Sequence, residues 1–163
     1  MTKLKARRRA KVRLTVFLIL AGLLVLFGIL APLLTPNDPD ATSAANMNKA
    51  PGAGFPLGTD RYGRCICSRV MMGARTSIFS AVALVVITFL VGTALGMLAG
   101  YCGGVVDTVV MRLADVLLAF PQMVLAIAVA GILGGGMFNA MLALGITGWT
   151  GYARLARAKV LSL

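Results

Sequence analysis

Histidine and glutamate are absent from this 163-residue sequence, and five aspartates are its only acidic side chains. The commonest general base, the commonest metal ligand and half of the carboxylate repertoire are therefore missing, which argues against catalysis within the chain. No catalytic residue, metal site or cofactor is expected. Cysteine is scarce too: Cys65, Cys67 and Cys102 are too few and too oddly numbered for a disulfide framework. Cys65 and Cys67, with Met71 and Met72 nearby, make a soft cluster of the kind that attracts Cu(I). Two thiols two residues apart cannot complete a four-ligand site, and small apolar packing explains them equally well.

Charge of either sign is also rare. Only 13% of the residues are charged and 59% are hydrophobic, a balance that a water-soluble domain of this size could not hide from solvent. Sixteen basic residues against five acidic ones give a formal charge of +11, which raises the question of nucleic acid. Position answers it. Lys3, Lys5, Arg7, Arg8, Arg9, Lys11 and Arg13 all precede a long apolar run, where a cytoplasmic membrane anchor is expected. A nucleic-acid footprint would line a folded face instead, so no nucleic-acid partner is expected.

What is present is an all-α integral membrane pattern with four expected transmembrane helices. Residues 1–13 read as a basic cytoplasmic tail. Leu14 to Leu34 is apolar without a charge, 21 residues that rise about 31 Å as a helix, matching a hydrocarbon core of about 30 Å. A cleaved signal peptide with a small-residue site at Ala41 to Ala45 is the competing reading, but signal cores run only about 7–15 residues. Pro32, Pro36 and Pro39 stop the helix, and residues 35–75 form an extracytoplasmic loop. A second span is expected over 78–99, a third over 113–133 and a fourth over 137–155. Gly134-Gly135-Gly136 divides the last two. Four spans place both termini in the cytoplasm, in agreement with the clusters before Leu14 and at Arg154, Arg157 and Lys159.

Within the second span Gly92, Gly96 and Gly100 recur every four residues, so one helix face admits a close neighbouring backbone. Asp107, Arg112 and Asp115 are the only charges between Arg75 and Arg154. Arg112 and Asp115 are three apart, share a helix face and can neutralise one another. They could form a gate or relay, or a structural pair at the interface. Phe120-Pro121 should kink the third span, as a hinge or as a passive bend. Trp149 and Tyr152 read as interface anchors.

Two stretches are more specific. Pro56-Leu57-Gly58-Thr59-Asp60-Arg61-Tyr62-Gly63-Arg64, then Ser68-Arg69 and Gly73-Ala74-Arg75-Thr76-Ser77, resembles the PLGTDxxGRDxxSRxxxGARxS signature of permeases in the dipeptide, oligopeptide and nickel importer family. Gly100-Tyr101, Gly103-Gly104, Asp107, Met111-Arg112, Asp115-Val116 and Phe120-Pro121 resemble that family's AGYxGGxxDxxxMRxxDxxxxFP segment, continued by Trp149, Tyr152-Ala153-Arg154 and Arg157. The resemblance covers the chain from Leu14 onward. Cys65 departs from it, standing where the family usually has aspartate.

The resemblance implies the start of a type I ABC importer transmembrane domain over residues 76–163 and six spans per permease subunit. It also implies a bacterial plasma membrane location with a cytoplasmic N-terminus, a second permease subunit, two cytoplasmic ATPases and an external solute-binding protein. The cargo would be peptides or nickel. A cytoplasmic coupling helix is expected after the fourth span, with Tyr152, Arg154 and Arg157 as its approach. On this reading the sequence is the N-terminal portion of a longer protein. A nucleotide-independent channel-like or scaffolding protein of four spans is the alternative. A secondary transporter is disfavoured by the lack of acidic residues at mid-membrane depth.

Overall fold

The structure is a computed structural model that describes residues 2–162, with side chains described from Lys11 onward. Five helices account for most of it: α1 (Thr2–Leu34), α2 (Ile66–Cys102), α3 (Gly104–Leu118), α4 (Gln122–Leu133) and α5 (Met137–Val160). No β-strand occurs among the described residues, only isolated bridges at Gly52–Phe55 and Thr59–Cys65. The chain forms two compact units, one ending at Phe79 and one beginning at Ser80, and the boundary falls within α2.

In the first unit α1 continues the expected first span back through the basic segment without a break. The side chains of Lys3, Lys5, Arg7, Arg8 and Arg9 lie outside the described residues; Lys11 and Arg13 are exposed. Pro32 sits in the last turn of α1, and the helix ends two residues later, before Pro36. Phe17 and Leu33 are 68% and 82% exposed. Such a surface suits lipid, because a helix satisfies its own backbone polar groups and leaves only apolar side chains outside.

The second unit contains the C-terminal part of α2 with α3, α4 and α5. Gly103 and Gly104 both adopt positive φ (63° and 51°), which separates α3 from α2 at a cost only glycine avoids. The third span expected over 113–133 is not one helix. It is split into α3 and α4 by Ala119-Phe120-Pro121, and the two pieces meet at 90°. Pro121 removes a backbone donor and drives Phe120 out of helical conformation, so a complete break replaces the anticipated kink.

By length and apolarity α1 and α2 qualify as membrane spans, and the bent pair α3–α4 makes a third candidate if counted as one. α5 is long enough at 24 residues, yet Asn139, Thr147, Thr150 and the cations Arg154, Arg157 and Lys159 dilute its apolar character. Freedom from charge over 116–153 is therefore not the same as apolarity. Asn139 does local work instead: its amide donates to the carbonyls of Leu133, Gly134 and Gly135 at 2.7, 3.2 and 3.3 Å, closing the turn between α4 and α5.

Candidate functional site

The loop before α2 is held by a dense set of hydrogen bonds. Gly58 and Gly63 both have φ of 75°, and a Cβ on Gly63 would lie 2.0 Å from the Ser43 carbonyl oxygen. Only glycine fits there. The buried Thr59 hydroxyl donates to the Asn46 carbonyl and accepts the Lys49 N–H at 2.8 Å. Ser68, fully buried, accepts the Asn37 N–H at 3.1 Å.

Asp60 organises the next turn. It accepts the backbone N–H groups of Tyr62 and Arg64 at 2.8 and 3.0 Å and pairs with the Arg64 guanidinium at 2.8 Å. Partial desolvation pushes its pKa up, but the Arg64 and Tyr62 hydrogen bonds outweigh it and hold the carboxyl at about 2. Arg64 and Arg61 flank the Tyr62 ring at 4.7 and 4.9 Å. Arg69 is a looser member, 3.7 Å from Asp40. Arg75 lies over Phe79, and Gly73 meets nothing that would exclude a side chain.

Cys65 is buried in this loop. Burial pushes its thiol up, while hydrogen bonds from Ser68 and Asn37 pull harder and leave it below its ordinary value. Among the described residues no three histidine, cysteine or aspartate side chains converge as a metal site would require.

The second cluster lies where α2, α3 and α5 meet. A Cβ on Gly92 would fall 2.4 Å from the Trp149 carbonyl oxygen, on Gly96 2.2 Å from that of Ala153, and on Gly100 2.9 Å from the Val160 Cβ. The glycine face of α2 thus lies directly against the α5 backbone, and because both numberings rise together the two helices run parallel. Ala114 of α3, Trp149 and Ala153 form a buried core here, flanked by Leu95, Val110, Met111 and Leu117. Trp149 is only 8% exposed, so it is a packing residue rather than the interface anchor expected from its neighbourhood. Tyr152 packs edge-on against Phe89, with ring centroids 5.6 Å apart.

Two ion pairs tie α3 to α5. Arg157 donates from Nε to Asp107 Oδ1 and from Nη2 to Asp107 Oδ2, the latter at 2.5 Å, a two-pronged contact. Arg154 donates through Nη2 alone to Asp115 Oδ1 at 2.5 Å. The expected Arg112–Asp115 pair is not formed. Asp115 takes the partner supplied by α5, and Arg112 stands exposed, outside every ion pair among the described residues. The structure thus joins two groups of charges, Asp107 with Asp115 and Arg154 with Arg157, that sequence spacing left as separate clusters.

Sequence reasoning missed Ala114 and gave Ala153 no packing role, yet their small side chains let the three helices close on Trp149. It also missed Asn139, in the first turn of α5, whose amide donates back to the carbonyls at the end of α4. An apolar groove of about 330 Å³ between α2 and α5, bordered by Leu84, Val91, Phe138 and Ile146, has a single hydroxyl, that of Thr88. That hydroxyl already donates to the Leu84 carbonyl at 2.8 Å, and apart from it and the Trp149 indole the lining is apolar.

Residues 92–163 match the family described as binding-protein-dependent transport system inner membrane component. The chain is 39% identical over 146 residues to the oligopeptide transport system permease protein of Bacillus subtilis, covering 90% of this chain and 48% of that protein. It is 38% identical over 164 residues to a dipeptide transport system permease protein of Haemophilus influenzae, covering 97% and 54%. Against the nickel transport system permease protein of Escherichia coli K12 it is 37% identical over 146 residues, covering 90% and 53%. The chain spans about half the length of the curated relatives it matches.

Proposed function

We propose that this chain, whose residues 92–163 match the family described as binding-protein-dependent transport system inner membrane component, is a member of that family and forms membrane-spanning helices of a permease subunit in an ATP-driven importer. The observation that carries the reading is the α2–α3–α5 seam. Gly92, Gly96, Gly100, Asp107, Asp115, Trp149, Ala153, Arg154 and Arg157 all fall within the segment that matches the family.

On this reading the solute is carried and not transformed. It passes between this subunit and a second permease subunit as their helices rock between inward-open and outward-open arrangements. Two cytoplasmic ATPases supply the bias, and an extracytoplasmic solute-binding protein delivers the cargo. Peptides and nickel are the candidate solutes, by likeness to relatives so named.

The matching topology has four crossings: residues 14–34, 78–99, the bent α3–α4 pair in place of 113–133, and 137–155. The tail of residues 1–13 and the last turns of α5 then face the cytoplasm of a bacterial plasma membrane. The loop of residues 35–75 faces outward, where it can meet the binding protein or the second permease. Tyr152, Arg154 and Arg157 lead toward the ATPase-contacting element, with both arginines braced by α3.

Two experiments test this. The chain, produced within its full-length permease and assembled with the partner subunits in proteoliposomes, should take up labelled peptide or Ni²⁺ only with ATP on the ATPase side. Uptake indifferent to ATP overturns the importer reading. With Cys67 changed to serine, Cys102, exposed at the end of α2, should react with a membrane-impermeant maleimide from the cytoplasmic side alone; reaction of Cys102 from outside overturns the topology.

A further inference from the structure

α3 is a rod of 15 residues with a joint at each end. At its start Gly103 and Gly104 have positive φ and no neighbour within 4 Å of a would-be Cβ. At its end the chain turns through 90° into α4. The starts of α3 and α4 both lack a side-chain cap. Between these joints the two ion pairs to α5 are unequal. Asp107–Arg157 is two-pronged, with side chains 22% and 33% exposed. Asp115–Arg154 is single-pronged, with side chains 59% and 51% exposed, and it borders an open cleft of about 340 Å³ shared with Met111 and Arg157.

Arg112 lies three residues before Asp115, one turn away on the same helix, and is itself exposed and outside every ion pair among the described residues. A cation at that spacing can reach the carboxylate without any movement of α5. Asp115 therefore has two competing arginines, one on its own helix and one across the seam. Handing the carboxylate from one to the other keeps its charge compensated while α3 leaves α5.

We propose that α3 is a hinged lever that pivots on Asp107–Arg157, is latched to α5 by Asp115–Arg154, and unlatches when Asp115 exchanges Arg154 for Arg112. This goes beyond the importer reading and does not rest on it. The lever is read by distance, whether or not the assembled protein takes up solute.

The test is pulsed electron-electron resonance on the full chain in lipid nanodiscs. Spin labels go at Val116 and Leu155, both exposed, with Cys67 and Cys102 changed to serine and the buried Cys65 retained. Two distance populations are expected. Arg154→Gln should move the distribution toward the longer one, and Arg112→Gln toward the shorter. A distribution unchanged by both substitutions, or shifted by both in the same direction, overturns the exchange. If Arg154→Gln does not fold, Arg112→Gln decides alone: enrichment of the short distance supports the lever, and no change overturns it.

Discussion

Gly96 of α2 lies so close to Ala153 of α5 that a methyl group on its α-carbon would come within 2.2 Å of the Ala153 carbonyl oxygen, a separation no real Cβ tolerates. The two backbones touch, and helix contacts of this kind in lipid depend on small residues because no hydrophobic effect drives helices together there. Gly96→Ala should destabilise the second unit by about 1–3 kcal/mol, the usual range for overpacking, and Gly96→Leu by more. Gly151→Ala, facing open space on α5, should be neutral or stabilising by up to about 1 kcal/mol. Thermal unfolding in detergent separates these outcomes, and equal losses at both positions would rule out the close contact.

The Asp60 turn predicts a pH response. Its carboxyl titrates near 2 in the folded loop, below the ordinary 3.8. A depressed carboxylate pKa contributes stability that is complete above the unfolded value and disappears as pH falls toward the folded one. Amide exchange protection across residues 43–66 should thus hold from neutrality to about pH 4 and weaken between about 4 and 2. Asp60→Asn should start with weaker protection and lose that pH dependence. An equally steep acid loss in Asp60→Asn would assign the response to another group.

Asp107 and Arg157 form the stronger tie between α3 and α5, so reversing one charge should hurt more than deleting it. Arg157→Asp is expected to raise amide exchange throughout residues 104–118, and Asp107→Asn to raise it less. The double change Asp107→Arg with Arg157→Asp should recover part of the protection. Failure of the double change to improve on either reversal would show that the pair is not the source of the ordering.

Asn139 donates to three carbonyls at the end of α4. Asn139→Ala should cost about 1 kcal/mol, the net value of such bonding. It should also speed exchange of the Ala140 amide, which bonds to Gly136 in the same turn. Asn139→Asp, which keeps the shape but cannot donate at neutral pH, should resemble the alanine variant.

Much of the architecture can be read from residue order alone, and the parts that cannot share one cause. Leu14 to Leu34 and the second span over 78–99 announce helices because uninterrupted apolar runs of that length have few other fates. Gly92, Gly96 and Gly100 share a face by helical period, whatever they pack against. Long-range partners are not encoded so locally. Arg112 is the nearest cation to Asp115 along the chain, yet the carboxylate is taken by Arg154, 39 positions away. Trp149 carries the residue type of an interface belt, but Ala114 and Ala153 make room for it inside. Phe120-Pro121 signalled a bend, but the dipeptide alone does not fix its size, 90°.

The chain has a single tryptophan, and it sits in the seam where α3 meets α5, 8% exposed. The protein therefore carries a built-in optical gauge of that junction. Ultraviolet emission from the indole should be blue-shifted while Ala114 and Ala153 enclose it, and should redden and quench as water enters. Within this stretch of sequence no foreign dye is needed to follow that one joint.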